Sequence, residues 1–280
     1  MSKKVSVLIC SYNSGKYIFD TIKSVLNQTY DNFELLILDN DSKDDTVKNI
    51  KSLSDNRIKL YESKVNYGPY GGLNYLLEKT EGDYIAILDH DDLWAKNKLE
   101  IQVDFLEKNR EFVGCGTETV MYYESDKKYF LYYLKERNNY TIHSSLLFRK
   151  GDYKYDDKIL YFADAYFQKF ALCKGQNLIY NIKKPLTFHL IKDGFNNLTY
   201  TWFKLNTANI KRLFEVHSIT LYAFLALSYE ISRYIIIRLK IAKAFPNFFK
   251  FFDRLPYKTV GGGFRDFEED REIKEKFEIK

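Results

Sequence analysis

The chain has 280 residues, 45% hydrophobic and 29% charged, with four prolines, which excludes disorder and long linkers and leaves one large globular domain or a domain with an appendage. The formal charge of +5 is uneven: residues 1–120 hold 15 basic against 20 acidic side chains, and the rest hold 28 against 18, so the two halves should meet different partners. Nucleic acid is not among those partners, because the basic residues are scattered and no recognition motif accompanies them.

The N-terminus, MSKKVSVLIC, passes from two lysines straight into an apolar run at 5–10, with no signal-type h-region or cleavage site, so a cytoplasmic location is expected. That run reads as a buried strand. KYIFDTIKSVLNQ follows and places Ile18, Ile22, Val25 and Leu26 on one helical face. FELLILDN at 33–40 is a second buried strand, and DDTVKNIKSL a second helix with an acidic first turn. RIKLYES at 57–63, GGLNYLLEKT and DYIAILD continue as strand, helix and strand. Unbroken apolar strands alternating with helices predict an α/β fold, a mostly parallel sheet with helices on both faces. Ligands bind such sheets beyond the carboxyl ends of the strands. That rim gathers Tyr12 and Asn13 after the first strand, Asp39 and Asp41 after the second, and Asp89, Asp91 and Asp92 after the fourth.

Past residue 112 the pattern changes. TVMYYES, KYFLYYL and IHSSLLF alternate like antiparallel strands. LYFADAYFQKFALCKG reads as a helix stopped by Gly175, and IYNIKKPLTFHLI returns to strand. From about 200 to 252 the chain reads as helical and aromatic, and its charged tail, FRDFEEDREIKEKFEIK, as a solvated helix or a disordered end. The divisions fall at 1–112, 113–199 and 200–280. Cys10, Cys115 and Cys173 lie far apart without CxxC spacing, which fits a reducing compartment rather than a disulfide framework or a zinc site.

Residues 219–237, as nineteen residues of helix, would reach roughly 28 Å, barely the hydrocarbon thickness. Glu230 and Arg233 would be costly at a bilayer centre, so a membrane span is not expected. Arg233, Lys240 and Lys243 fall near one helical face with aromatics and Ile elsewhere. Two readings stay open: a helix lying on an anionic membrane surface, or a partner or homo-oligomer interface.

YIAILDHDDLW puts three acids at the tip of a buried strand. Carboxylates about 4 Å apart repel by roughly 1 kcal/mol in water and several times more near a protein surface. A hard divalent cation, Mn²⁺ or Mg²⁺, would offset that repulsion through oxygen ligands shared with substrate phosphates. The plainer reading is a solvated acidic turn whose last residue, Asp92, caps the following helix.

Two stretches carry a resemblance. VSVLICSYNSGKYIFDTIKSVLNQTYDNFELLILDNDSKDDT resembles the opening of family-2 glycosyltransferases of the GT-A fold. NYGPYGGLNYLLEKTEGDYIAILDHDDLW is similar to the stretch leading to their DxD motif. The likeness is dense over about 4–110, sparser to about 195 and absent beyond; SYN, LLILDNDS, NYG and LDHDD in this order make it specific. It implies an inverting glycosyltransferase, moving a sugar from a nucleoside-diphosphate sugar, UDP-linked, to a hydroxyl of a glycan or lipid-linked acceptor in surface polysaccharide assembly. The alternative is a non-catalytic nucleotide-sugar-binding subunit.

Residue by residue, the resemblance implies Tyr12 and Asp39 at the nucleotide base, Asn66 in the nucleotide pocket, Asp89 facing the ribose and the metal's waters, and Asp91 on the metal. An ionised carboxylate suits the imide N–H of uracil because it only accepts. Asp164, at a helix start, takes the general-base position with Ala163 in place of the usual Glu; the helix dipole would favour an acid there in any case. The family's Arg-x-His after the next strand is Leu190 and Lys192 here, and Leu73 stands where an Arg is often found. A protonated Lys192 cannot ligate a metal but can pair with a donor phosphate. His189, three residues earlier, is expected to be structural and to point away from Lys192. His90 is expected to be a spacer between the acids.

Overall fold

Val5–Ser11 (β1) and Phe33–Asn40 (β2) are buried almost throughout because the sheet they enter is covered on both faces. The computed structural model describes residues 2–158, 163–192 and 264–279. Within them Ile58–Ser63 (β3) and Tyr84–Ile87 (β4) complete a parallel set: β1 pairs with β2 and β4, and β2 with β3. Successive residues of a strand point to opposite faces. Val5, Val7 and Ile9 of β1 therefore pack against Ile18, Ile22 and Val25 of the helix Ile18–Leu26 (α1). Leu8, Leu36 and Leu38 pack against Leu73 and Leu76 of the helix Gly68–Leu77 (α3) on the other face. Thr46–Lys51 (α2) lies between β2 and β3 in the chain. At Gly72 α3 approaches the sheet so closely that a Cβ would run into Cys10 Sγ.

Beyond β4 come Leu93–Trp94 (β5), the helix Lys98–Lys108 (α4), Gly114–Tyr123 (β6), Lys128–Tyr132 (β7), Arg137–Asn138 (β8), Leu147–Arg149 (β9) and Ile179–Ile191 (β10). β9 pairs antiparallel with both β4 and β6, and β7 pairs antiparallel with β6. β10 runs parallel to β6, with irregular register around Pro185, and antiparallel to β5. Along its main path the sheet has the order β11-β7-β6-β9-β4-β1-β2-β3, where β11 is Arg265–Asp266. The strands expected in the first hundred residues and the expected fold class are both present.

Three expectations are corrected. IHSSLLF is not one strand: His143–Ser145 form a 3₁₀ turn before β9, and the Ser145 hydroxyl donates to Ile142 O, a local bond that competes with ladder pairing. Among the described residues, the expected long helix is α-helical over Ala163–Tyr166 (α5) and continues as π-helix over Phe167–Leu172. There the Cys173 N–H reaches back five residues to Gln168 O, and Gly175, at φ +79°, ends the element as expected. The charged tail is not disordered; it holds a short helix whose charged residues are largely exposed while its apolar residues are buried. β11 pairs with β7, and Phe267, Ile273 and Phe277, around the helix Arg271–Lys276 (α6), are buried with Ala95, Val120, Leu186 and Phe188. Three apolar residues among the charges are enough to give that short helix an inner face.

The expected helical segment at 200–252, with its membrane-surface or oligomer reading, lies outside the described residues. Among the described residues no helix is long and apolar enough to cross a membrane. All three cysteines are free.

Candidate active site at the carboxyl rim of the sheet

The register of β1 and β2 sets Ser11 beside Asp39, so the loops after both strands open on one rim. They are tied together there. The Asn13 N–H donates to Ser42 Oγ (2.9 Å), and Asn13 Oδ1 accepts from the Lys43 N–H (2.8 Å), with Asn13 held at φ +46°. Tyr12 stands 45% exposed above this loop. Asp39 is only 3% exposed; its Oδ2 accepts from the Ser42 N–H, while its buried Oδ1 has no hydrogen-bond partner. An unsatisfied buried acceptor costs about 1–3 kcal/mol, and Asp39 Oδ1 carries that cost at the rim. Asn66 lies one strand over. Its Oδ1 accepts from Asn40 Nδ2 (3.0 Å) and from the Gly68 N–H (2.8 Å), fixing the loop after β3 to the residue next to Asp39.

The acidic cluster answers its own repulsion with side chains of this chain. Among the described residues each acid pairs with a basic one: Asp89 with His143 (3.4 Å), Asp91 with Lys192 (2.6 Å) and Asp92 with His189 (2.7 Å). Asp92 is fully buried, and its other oxygen accepts from the Leu190 N–H (2.9 Å). It does not cap α4, whose N-cap is Asn97. Burial and the charges of Asp91 and Asp89 push Asp92 up. Both its oxygens nonetheless accept hydrogen bonds, so the carboxylate is the form this geometry binds. Burial pulls His189 down, but the charge and hydrogen bond of Asp92 outweigh it and push the imidazole up to about 9. Desolvation would raise Asp89, but the hydrogen bond and charge of His143 hold it below the usual carboxylate range.

His189 is therefore part of the cluster and not a bystander, because β10 runs between β5 and β6 and delivers its end beneath the loop after β4. It and Lys192 do diverge, each to a different acid. His90 turns the other way: its Nδ1 lies 3.4 Å from Cys10 O, and its carbonyl accepts from Thr21 Oγ1. Leu73 is buried against the sheet and presents no polar group to the rim.

On the far side of Asp89 the cluster continues through His143. His143 Nε2 lies 2.9 Å from the Tyr155 hydroxyl, and Tyr155 stacks on Phe167 (3.8 Å between centroids) and on Tyr70. The Asp89 N–H donates to Ser144 Oγ, and Trp94 Nε1–H to Ser144 O (2.7 Å), which fixes the turn carrying His143. Burial lowers His143, but Asp89 and then Asp164 raise it above its ordinary value. Asp164, in the first turn of α5, also acts electrostatically on Tyr70 and Tyr155, as Asp89 does. The two acids thus flank one group of side chains. Reading from residue types and the family motif overlooks His143. A signal for it is scarcity: of four histidines in the chain, His90, His143 and His189 are all at or beside these acids.

A divalent cation can be tested against this arrangement. Asp89, Asp92 and His189 present ligand atoms within 4.8 Å of one another. Two carboxylates and an imidazole suit Mn²⁺, and the carboxylates Mg²⁺, so the residue types fit, although a cation there would have to displace the His189 proton and its hydrogen bond to Asp92. Asp91, expected on the metal, lies outside this group and against Lys192.

The family model described as Glycosyl transferase family 2 matches residues 6–168. The UDP-Glc:alpha-D-GlcNAc-diphosphoundecaprenol beta-1,3-glucosyltransferase WfgD of Escherichia coli is 45% identical over 105 residues, which are 38% of this chain and 42% of that protein. WfaP of the same organism, with the same described activity, is 39% identical over 108 residues, 39% of this chain and 43% of that protein. The matched part thus spans less than half of either relative. Among solved structures, S. aureus TarS 1-349 in complex with UDP-GlcNAc superposes with a TM-score of 0.63 at 17% identity, covering 85% of this chain and 73% of that one. The mannosyltransferase PcManGT from Pyrobaculum calidifontis, in complex with GDP-Man and Mn²⁺, gives 0.55 at 16% identity, covering 76% and 61%. These likenesses establish the GT-A fold. With the family match extending over more than half of its residues, this chain belongs to glycosyl transferase family 2.

Proposed function

We propose that the chain transfers a sugar, with inversion, from a UDP-linked donor to a hydroxyl of a lipid-linked glycan acceptor. The observation that carries the donor reading is Asp39 Oδ1, a buried acceptor without a partner at the rim where nucleotides enter such sheets. It suits the imide N–H of uracil, with Tyr12 against the base and Asn66 bordering the pocket. The names of WfgD and WfaP, with a UDP-sugar donor and a diphosphoundecaprenol-linked acceptor, support the substrate class.

Asp89 borders the ribose and diphosphate, and Lys192 meets a donor phosphate. Asp89, Asp92 and His189 would hold Mn²⁺ or Mg²⁺, which when bound supplies positive charge to the diphosphate leaving group. Asp164 takes the proton of the acceptor hydroxyl as its oxygen attacks the anomeric carbon and the bond to the diphosphate breaks. Residues 1–112 form the donor half and 113–199 the acceptor half. A lipid-linked acceptor calls for peripheral contact with the membrane from the cytoplasmic side.

The test is transfer of label from UDP-sugars to diphosphoundecaprenol-linked sugars, with the anomeric configuration of the product assigned by NMR. Inverted product is expected. UDP-sugar binding with neither transfer nor hydrolysis would favour the non-catalytic subunit instead.

A further inference from the structure

Lys192 follows β10 directly, and two of its contacts fix Nζ at the rim. One is Asp91 Oδ2 at 2.6 Å; the other is the face of Tyr17, whose ring centre lies 4.4 Å away. Tyr17 is itself fixed, because its hydroxyl reaches both carboxylate oxygens of Glu124 at 3.1 and 3.0 Å, and Lys16 pairs with the same Glu124. A carboxylate and an aromatic face together position an ammonium far better than a solvated surface ion pair does. The side chain still keeps 26% of its surface exposed, on the rim where Asp89 and Asp91 lie.

The three acids divide between two kinds of counter-charge. Asp89, Asp92 and His189 make up the group that suits a divalent cation, whereas Asp91 is committed to Lys192. An ammonium has three N–H donors pointing in different directions, so it can serve Asp91 and a phosphate oxygen together. It is also a permanent part of the chain, present whether or not a cation is bound.

We propose that Lys192 is a built-in counter-ion for the donor's diphosphate, so that nucleoside-diphosphate binding at this rim persists without a divalent cation. The inference rests on the donor-site reading above and extends it. Tyr17 and Asp91 act as positioning residues for the ammonium, and a cation at Asp89, Asp92 and His189 adds to the affinity without being its condition.

The experiment is calorimetric titration of the full chain with UDP, in Mn²⁺ and again in EDTA, for wild type, Lys192→Met and Lys192→Arg. Wild type should lose less than about tenfold in affinity on moving to EDTA. Lys192→Met should lose about 10- to 150-fold in EDTA, the range for a hydrogen bond to a charged group, and recover much of it in Mn²⁺. Lys192→Arg should stay near wild type. Thermal melting checks that each variant is folded, with Lys192→Gln replacing the Met variant if that one is not. Loss of all wild-type UDP binding in EDTA, or equal binding in EDTA by wild type and the neutral variant, overturns the proposal. Failure of wild type to bind UDP in either condition overturns the donor-site reading and this proposal with it.

Discussion

Asp92 and His189 are 97 residues apart in the chain and joined by a 2.7 Å hydrogen bond that fastens the end of β10 to the acidic loop after β4. Asp92 is fully buried, so removing its partner strands a charge in a dry place. His189→Leu should therefore destabilise the protein by about 3–5 kcal/mol in urea unfolding, and the double variant His189→Leu/Asp92→Leu by less than the sum of the singles. A His189→Leu cost below about 1 kcal/mol would mean that the pair is not a structural link.

Asp164→Asn keeps the shape and hydrogen bonding of the proposed base but cannot take a proton. Transfer should fall by about 10²–10⁴-fold while UDP affinity barely moves. Near-normal turnover in the variant would place the base elsewhere.

Glu34, at the start of β2, accepts hydrogen bonds from Lys59 (2.8 Å) and Ser6 (2.6 Å) and pairs with Lys4. Burial alone would raise its carboxyl, but these bonds bring it down to about 2 from 4.5. A depressed folded-state value means that the stabilisation is complete above the unfolded value and lost as pH falls from about 4.5 to about 2. Up to about 3 kcal/mol should disappear across that window, less for screening of the half-exposed lysines. Glu34→Gln should flatten that part of the stability–pH curve; an unchanged curve would remove Glu34 as the group responsible.

Lys98 is fully buried, with its Nζ 2.6 Å from Gln102 Oε1 and 3.9 Å from the centre of the Trp94 ring. Burial brings its amine down to about 7 from 10.5. Between those values the unfolded chain binds a proton that the folded one releases, so stability rises with pH through the window and is penalised near pH 7. Lys98→Met should stabilise the protein at pH 7 by about 1–3 kcal/mol, less than the full shift because the Gln102 and Trp94 contacts are lost. The gain should shrink by pH 10, as differential scanning fluorimetry at both pH values would report. A destabilised Lys98→Met at pH 7 would show that those contacts outweigh the desolvation.

Much of residues 1–112 is legible in the sequence because β1, β2 and β4 are buried on both faces and read as unbroken apolar runs. The rim follows from their carboxyl ends, where Tyr12, Asp39 and Asp89 to Asp92 stand. The partners of the acids are harder to read. His143 sits in a 3₁₀ turn inside a stretch that alternates like a strand, so periodicity gives it the wrong setting. His189 reaches Asp92 only because β10 pairs parallel to β6 with a register shift at Pro185, a long-range choice that local pattern does not carry. The tail misleads for another reason. Its charges dominate the composition, while Phe267, Ile273 and Phe277 supply the buried contacts that anchor it. Asp39 is legible as a residue, but its unpartnered Oδ1 emerges only from the packing of the loop around Ser42.

Binding of a uridine nucleotide at this rim through Asp39 is decided by a crystal structure of the chain with UDP. The uracil imide N–H is expected to donate to Asp39 Oδ1, with the ring against Tyr12 and the diphosphate beside Asp89 and Lys192. UDP bound away from the rim, or on it with Asp39 Oδ1 still unengaged, would rule that binding mode out.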